Sequence, residues 1–212
     1  MKLIKIPISE MKNMKKRGFP ELTPYTHSNP LVRWLFWKRI KIVLGLTSPA
    51  KRVLDFGAGS GILMPSLSKN FREVYSLDLD TTSLKYLKKK NNFNNVKIIK
   101  GNKNNKLPFK KDFFDIIFAA DVLEHFKESL EIQKEFKRVL KKGGYLVVSG
   151  PTENILYEIG RKILYWRKKP SDHYTNVKEV MKKSSELFKI ERVKTIPSHI
   201  IPAFKIYRAK KV

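Results

Sequence analysis

Three glycines at a spacing of two, Gly57, Gly59 and Gly61, follow directly on an apolar run that ends in Asp55 and Phe56. Glycine lets the backbone turn where other residues cannot, and lets it pass close to a ligand that side chains would exclude. Asp78, 21 residues after Gly57, closes a second apolar run formed by Val74, Tyr75 and Leu77. A carboxylate in that place can accept both hydroxyl hydrogens of a ribose. The chemistry these residues suit is the holding of a nucleoside-type cofactor, with a glycine bend under one end and an acid on the sugar. A dinucleotide fingerprint would carry its third glycine three residues after the second, beneath a pyrophosphate. That position is Ile62, so a nicotinamide oxidoreductase is disfavoured, and the missing Gly-Lys-Ser/Thr ending excludes a P-loop.

The elements around these residues must put two strand ends side by side. Apolar runs bounded by turn residues predict strands near 52–56, 73–77, 96–100, 114–120 and 145–149, with helices at about 60–69, 82–91 and 128–141 between them. Such alternation implies a parallel sheet with helices on its faces. In the last of these helices Ile132, Phe136, Val139 and Leu140 share a face, glutamates begin it and basic residues end it. A helix over 31–46 is predicted after the cap Asn29-Pro30, and another at about 176–187. Residues 188–193 and 203–207 read as an antiparallel pair at the sheet edge, and residues 1–24 as a partly mobile basic arm.

In chain order these residues resemble the class I S-adenosylmethionine-dependent methyltransferases, in particular the small-molecule branch that includes quinone-biosynthesis-type enzymes. Asp55-Phe-Gly-Ala-Gly-Ser-Gly61 is similar to the first motif of that family, Leu77-Asp78-Leu79-Asp80 to the second, and 101–109 to the segment that meets adenine. Phe114-Asp115 and Asp121-Val-Leu-Glu-His125 resemble the fourth strand and its exit, and Leu140-Lys-Lys-Gly-Gly144 the turn before the fifth. The resemblance implies an α/β, Rossmann-like doubly wound sheet of seven strands, mostly parallel with an antiparallel C-terminal strand. It divides one domain, 1–212, into an arm and lid helix (1–49), a cofactor-binding core (50–150), a substrate-side insertion (151–175) and a C-terminal helix with edge strands (176–212).

The resemblance also assigns roles. S-adenosyl-L-methionine, leaving as S-adenosyl-L-homocysteine, would meet Gly57, Ala58 and Gly59 through its methionine part, with Asp55 orienting the loop and the ammonium. A turn or cap carboxylate is the plainer role for Asp55. Asp78 would take the ribose hydroxyls and Leu79 the adenine face. Asn102, with the Lys103 backbone, stands where the family commonly has an acid; its amide oxygen can accept from the adenine amino group, or it is an ordinary turn residue. Asp121 would line the methyl-donor cavity. Asp121, His125 and His173 are the candidates for a general base, against plainer roles for the histidines at a helix start and in a loop. Trp34, Trp37, Tyr25 and Trp166 are candidates for an aromatic wall, or for core.

Composition narrows the acceptor. The chain has no cysteine, which excludes a covalent cysteine adduct and thiolate metal ligands, and its four histidines hold no His-x-x-x-His pair for zinc. Of the net charge of +26, residues 51–160 carry only +7, so the flanks carry +19. An anionic small molecule, an anionic lipid surface or RNA would be drawn there, although a lysine-rich surface that merely solvates the fold gives the same count. The expected activity is methyl transfer to oxygen or nitrogen of a small or lipid-like acceptor. An RNA methyltransferase and a non-catalytic cofactor-binding regulator are the alternatives. With no apolar run of membrane-spanning length, a cytoplasmic protein is expected, with peripheral contact to a membrane open to it.

Overall fold

A computed structural model describes residues 1–102, 106–154, 174–200 and 202–212. The fold is α/β with one seven-stranded sheet, built from β1 (Arg52–Phe56), β2 (Glu73–Asp78), β3 (Val96–Lys100), β4 (Phe114–Ala120), β5 (Leu140–Pro151), β6 (Lys189–Pro197) and β7 (Pro202–Lys210). The order is β3-β2-β1-β4-β5-β7-β6, and β1 to β5 run parallel. β7 lies antiparallel to both β5 and β6. The five parallel strands are those the apolar runs predict, because strands covered on both faces need little alternation.

Alternate residues of each strand feed two cores. Val53, Val74, Ile116, Phe118 and Val147 face one side, where α1 (Ile8–Lys16), α2 (Pro30–Gly45), α3 (Met64–Asn70) and α4 (Thr82–Asn91) contribute. Leu54, Phe56, Leu77, Ile117 and Val148 face the other, under α5 (Ser129–Val139) and α6 (Val177–Leu187). The chain leaves β1 toward the first face and β4 toward the second. Those two strands are neighbours, so a crevice opens at their carboxyl ends, where ligands bind in sheets of this kind.

Three elements depart from the sequence expectation, each for a local reason. The helix predicted over 60–69 begins only at Met64, because Gly61 takes φ +79 in a turn and Pro65 then serves as a first-turn residue. The helix predicted to 141 ends at Val139, since Leu140 pairs with Phe114 and opens β5 five residues early. The predicted arm contains α1, whose Met11 and Met14 are completely buried beside Leu22 and Ile40. α2 has the predicted start, with Asn29 Oδ1 accepting from Leu31 N at 2.9 Å ahead of Pro30. Among the described residues no helix is long and apolar enough to cross a membrane.

Candidate functional site

The ends of β1 and β2 are tied to one another by backbone. Gly57 N and Ala58 N both donate to Leu77 O, at 2.9 and 3.1 Å. Gly57 has φ +69, and a Cβ built there would stand 2.2 Å from Val122 Cγ2. Any side chain at this point would therefore collide with the exit of β4 and strain the backbone as well. Gly59 N donates to Asp78 Oδ2 at 2.7 Å, and Asp80 N to Asp78 Oδ1 at 3.1 Å. Ser83 Oγ donates to Gly59 O at 2.7 Å, which fixes the bend from its far side. Each carboxylate oxygen of Asp78 has spent one acceptor position on the backbone and keeps a second for a ligand hydroxyl.

Asp78 opens onto a cavity of ≈ 550 Å³ whose walls include Gly57, Leu79, Asn102, Val122 and His125. That volume suits a nucleoside-sized ligand. Leu79 is 57% exposed, an apolar surface with no protein partner over much of its area. The structure thus brings Asp78, Leu79, Asn102 and His125 to one cavity with the glycine bend at its edge. Lys103 and His173 lie outside the described residues, as does Trp166.

Asp55 is 2% exposed, and its Oδ2 has no hydrogen-bond partner among the described residues. Burial, with the nearby Asp78 charge adding to it, pushes its carboxyl up to about 7. An orphaned buried carboxylate oxygen beside a glycine bend is a place for a ligand cation. An ammonium there would return the charge balance that burial removes.

Asp121 leaves β4 in the left-handed region, φ +55, with its N–H on Ser149 O at 2.8 Å. Its carboxylate is ion-paired with Arg39 of α2. Arg39 is 4% exposed, donates from Nη2 to the Tyr25 hydroxyl at 2.8 Å, and packs over the rings of Phe36 and Phe204. A base role for Asp121 would require that pair to open. Sequence reasoning passed over Arg39, yet a signal was present. Arg39 lies three residues after Phe36 and four before Val43, on the stripe that α2 turns inward.

Glu124, from the same exit segment, was also passed over as a site residue. It is 3% exposed and burial pushes its carboxyl to about 7. Its backbone carbonyl accepts from Tyr174 N at 2.8 Å, joining the β4 exit to the segment that leads into α6. Of the proposed aromatic wall, Tyr25 and Trp37 are buried in the core while Trp34 is half exposed on another side of α2.

The seven-stranded sheet is the α/β, Rossmann-like one that the sequence resemblance implies. Residues 54–148 match the family described as a methyltransferase domain, so the central segment carries that domain. A ubiquinone/menaquinone biosynthesis C-methyltransferase, UbiE, from Wigglesworthia glossinidia brevipalpis is 31% identical over 119 residues, covering 53% of this chain and 47% of that protein. The chain spans about half the length of the curated relatives it matches. Among solved structures, the N-methyltransferase NodS of Bradyrhizobium japonicum in complex with S-adenosyl-l-homocysteine has a TM-score of 0.70 at 13% identity, covering 96% of this chain and 97% of that one. The [4+2]-cyclase SpnF has 0.67 at 15% identity, covering 82% and 80%. These likenesses establish the fold; a cyclase on it shows that fold does not decide the reaction.

Proposed function

We propose that this protein transfers a methyl group from S-adenosylmethionine to a small aromatic acceptor bound under α2. The observation that carries the reading is the pairing of Asp78, with one acceptor position left on each oxygen, with the orphaned buried Oδ2 of Asp55 across the glycine bend. A ribose diol and an ammonium are the two ends of this cofactor that need such groups. Leu79 and Asn102 suit the adenine face and edge, and Gly57 to Gly59 suit the chain between. Once bound, the cofactor supplies a sulfonium-activated methyl group, and the residues around it mainly position the acceptor and exclude water.

The acceptor atom is where this reading leaves the sequence expectation of oxygen or nitrogen. The matched relatives are named as C-methyltransferases of ubiquinone and menaquinone biosynthesis, and we carry carbon and a phenol-like ring over from them. Arg39 supports the choice: its Nε has no acceptor among the described residues, so it can hold the oxygen of a ring whose carbon must become nucleophilic. Incubating the protein with methyl-labelled S-adenosylmethionine and an unmethylated hydroquinone should place label on a ring carbon. Label on oxygen or in RNA, or cofactor binding with no transfer, rejects the reading.

Asp55 gives a pH signature. Its folded carboxyl sits near 7, above the ordinary carboxylate range, so the ligand-free fold loses stability as pH rises from that range to about 7 and is flat above. A ligand ammonium favours the ionised form, so affinity for S-adenosylhomocysteine should be full above about 7 and fall by roughly tenfold per pH unit well below it. The melting-temperature rise caused by S-adenosylhomocysteine should therefore grow between about pH 6 and 8, and Asp55→Asn should flatten that growth. An equal slope in the variant refutes the assignment.

A further inference from the structure

α2 has a second functional face. Turning away from Arg39, the stripe Trp34, Lys38, Lys41 and Gly45 walls a groove of ≈ 1160 Å³ between α2, the N-terminal segment with α1, and the edge strand β6. Its floor is hydrocarbon, including Leu3, Ile6, Met11 and Ile42. Six cations stand on its walls, Lys5, Arg33, Lys38, Lys41, Arg192 and Lys194, and no carboxylate does. Among the described residues none of the six is in an ion pair, although such pairs occur elsewhere on the chain. Lys38 lies 4.4 Å over the Trp34 ring and Lys5 5.4 Å over Trp37. Large apolar side chains project at the rim, where Trp34 is 51% exposed and Ile8 47%, and Leu31, one turn before Trp34 on α2, is 70% exposed.

We infer that this groove is a docking site for anionic phospholipid at a bilayer surface, with acyl chain on the hydrocarbon floor and phosphate on the lysine and arginine walls. Charge complementarity sets the sign of the occupant, and six cations without an acid, Arg33 among them held by the carbonyls of His27 and Ser28, call for an anion. The floor decides between anions. RNA would need a row of flat rings for successive bases and polar groups for their edges, whereas Trp34 stands at the rim, Trp37 is buried and the floor offers aliphatic carbon. An exposed tryptophan beside lysines whose stems cover apolar surface is the arrangement that suits the headgroup level of a membrane. Docking would set α2 against the bilayer while its opposite face holds Asp121 through Arg39.

The inference stands apart from methyl transfer, and its test reads binding alone. The full chain should sediment with phosphatidylcholine vesicles that contain phosphatidylglycerol and much less with phosphatidylcholine alone, and added salt should release it. Each basic residue near an anionic surface contributes about fivefold in binding, so Lys38→Gln with Lys41→Gln should weaken vesicle binding by about 25-fold. S-adenosylhomocysteine binding unchanged in that variant shows the fold intact. Trp34→Ala should weaken vesicle binding too, and if it fails to fold the two surface lysines decide alone. Equal sedimentation with neutral vesicles, no sedimentation with either, or wild-type binding by the lysine variant overturns the proposal. So does binding to poly(U) that the lysine variant loses while vesicles are ignored, which would make the groove an RNA site.

Discussion

Asp78→Ala should lower affinity for S-adenosylhomocysteine by at least about 100-fold. A hydrogen bond to a charged group is worth about 1.5 to 3 kcal/mol, and the substitution removes two from the ribose together with the acceptor that fixes Gly59 N. Asp78→Asn keeps one acceptor and should lose roughly tenfold, because the amide nitrogen faces a backbone donor or a hydroxyl that must turn round. Calorimetry checks both, and comparing adenosine with a dideoxyadenosine sharpens the result. The wild-type protein should prefer the diol, whereas Asp78→Ala should not distinguish the two. Unaltered affinity in Asp78→Ala would remove the sugar from this crevice and with it the proposed cofactor mode.

The parts of this arrangement that were legible in the sequence are those whose constraints are local. Gly57, Gly59 and Gly61 stand out because a tight bend tolerates little else, and Asp78 because an acid ending an apolar strand needs a reason. The parallel strands were legible because each is a short apolar run between turn residues. What periodicity does not report is pairing at a distance: Leu140 leaves its helix because Phe114 is available across the sheet. α1 escaped notice because its buried side is only Met11 and Met14, with Glu10, among lysines, and no side chain caps its start. α2 posed a different difficulty. Its cations Arg33, Lys38, Arg39 and Lys41 share no single face of a helical wheel, so only the spacing of Arg39 from Phe36 and Val43 marks the inward one. The structure sorts them, burying Arg39 and leaving Lys38 and Lys41 on the groove. The +19 of the flanks likewise gains a place, since Lys5 from one flank meets Arg192 and Lys194 from the other.

Arg39→Ala is expected to cost about 3 kcal/mol of stability. Removing one partner of a buried ion pair costs about 3 to 5 kcal/mol, because the other charge stays behind without compensation. The Asp121 side chain is 30% exposed, so water can take up part of its charge, and the lower end of that range applies. The Tyr25 hydroxyl loses its donor at the same time. Arg39→Lys should recover little, since one ammonium cannot reproduce a planar group that reaches both Asp121 and Tyr25 while packing on Phe36 and Phe204. Adding Asp121→Ala to Arg39→Ala should return part of the loss, with a coupling of about 1 to 3 kcal/mol in a double-mutant cycle by urea unfolding. The same variants separate holding the lid from holding the cofactor. Asp78 and the glycine bend do not touch Arg39, so S-adenosylhomocysteine affinity should stay near the wild-type value while methyl transfer to the acceptor falls. Additive losses in the cycle, or a parallel fall in cofactor affinity, would show that α2 is not fastened to the crevice through this pair.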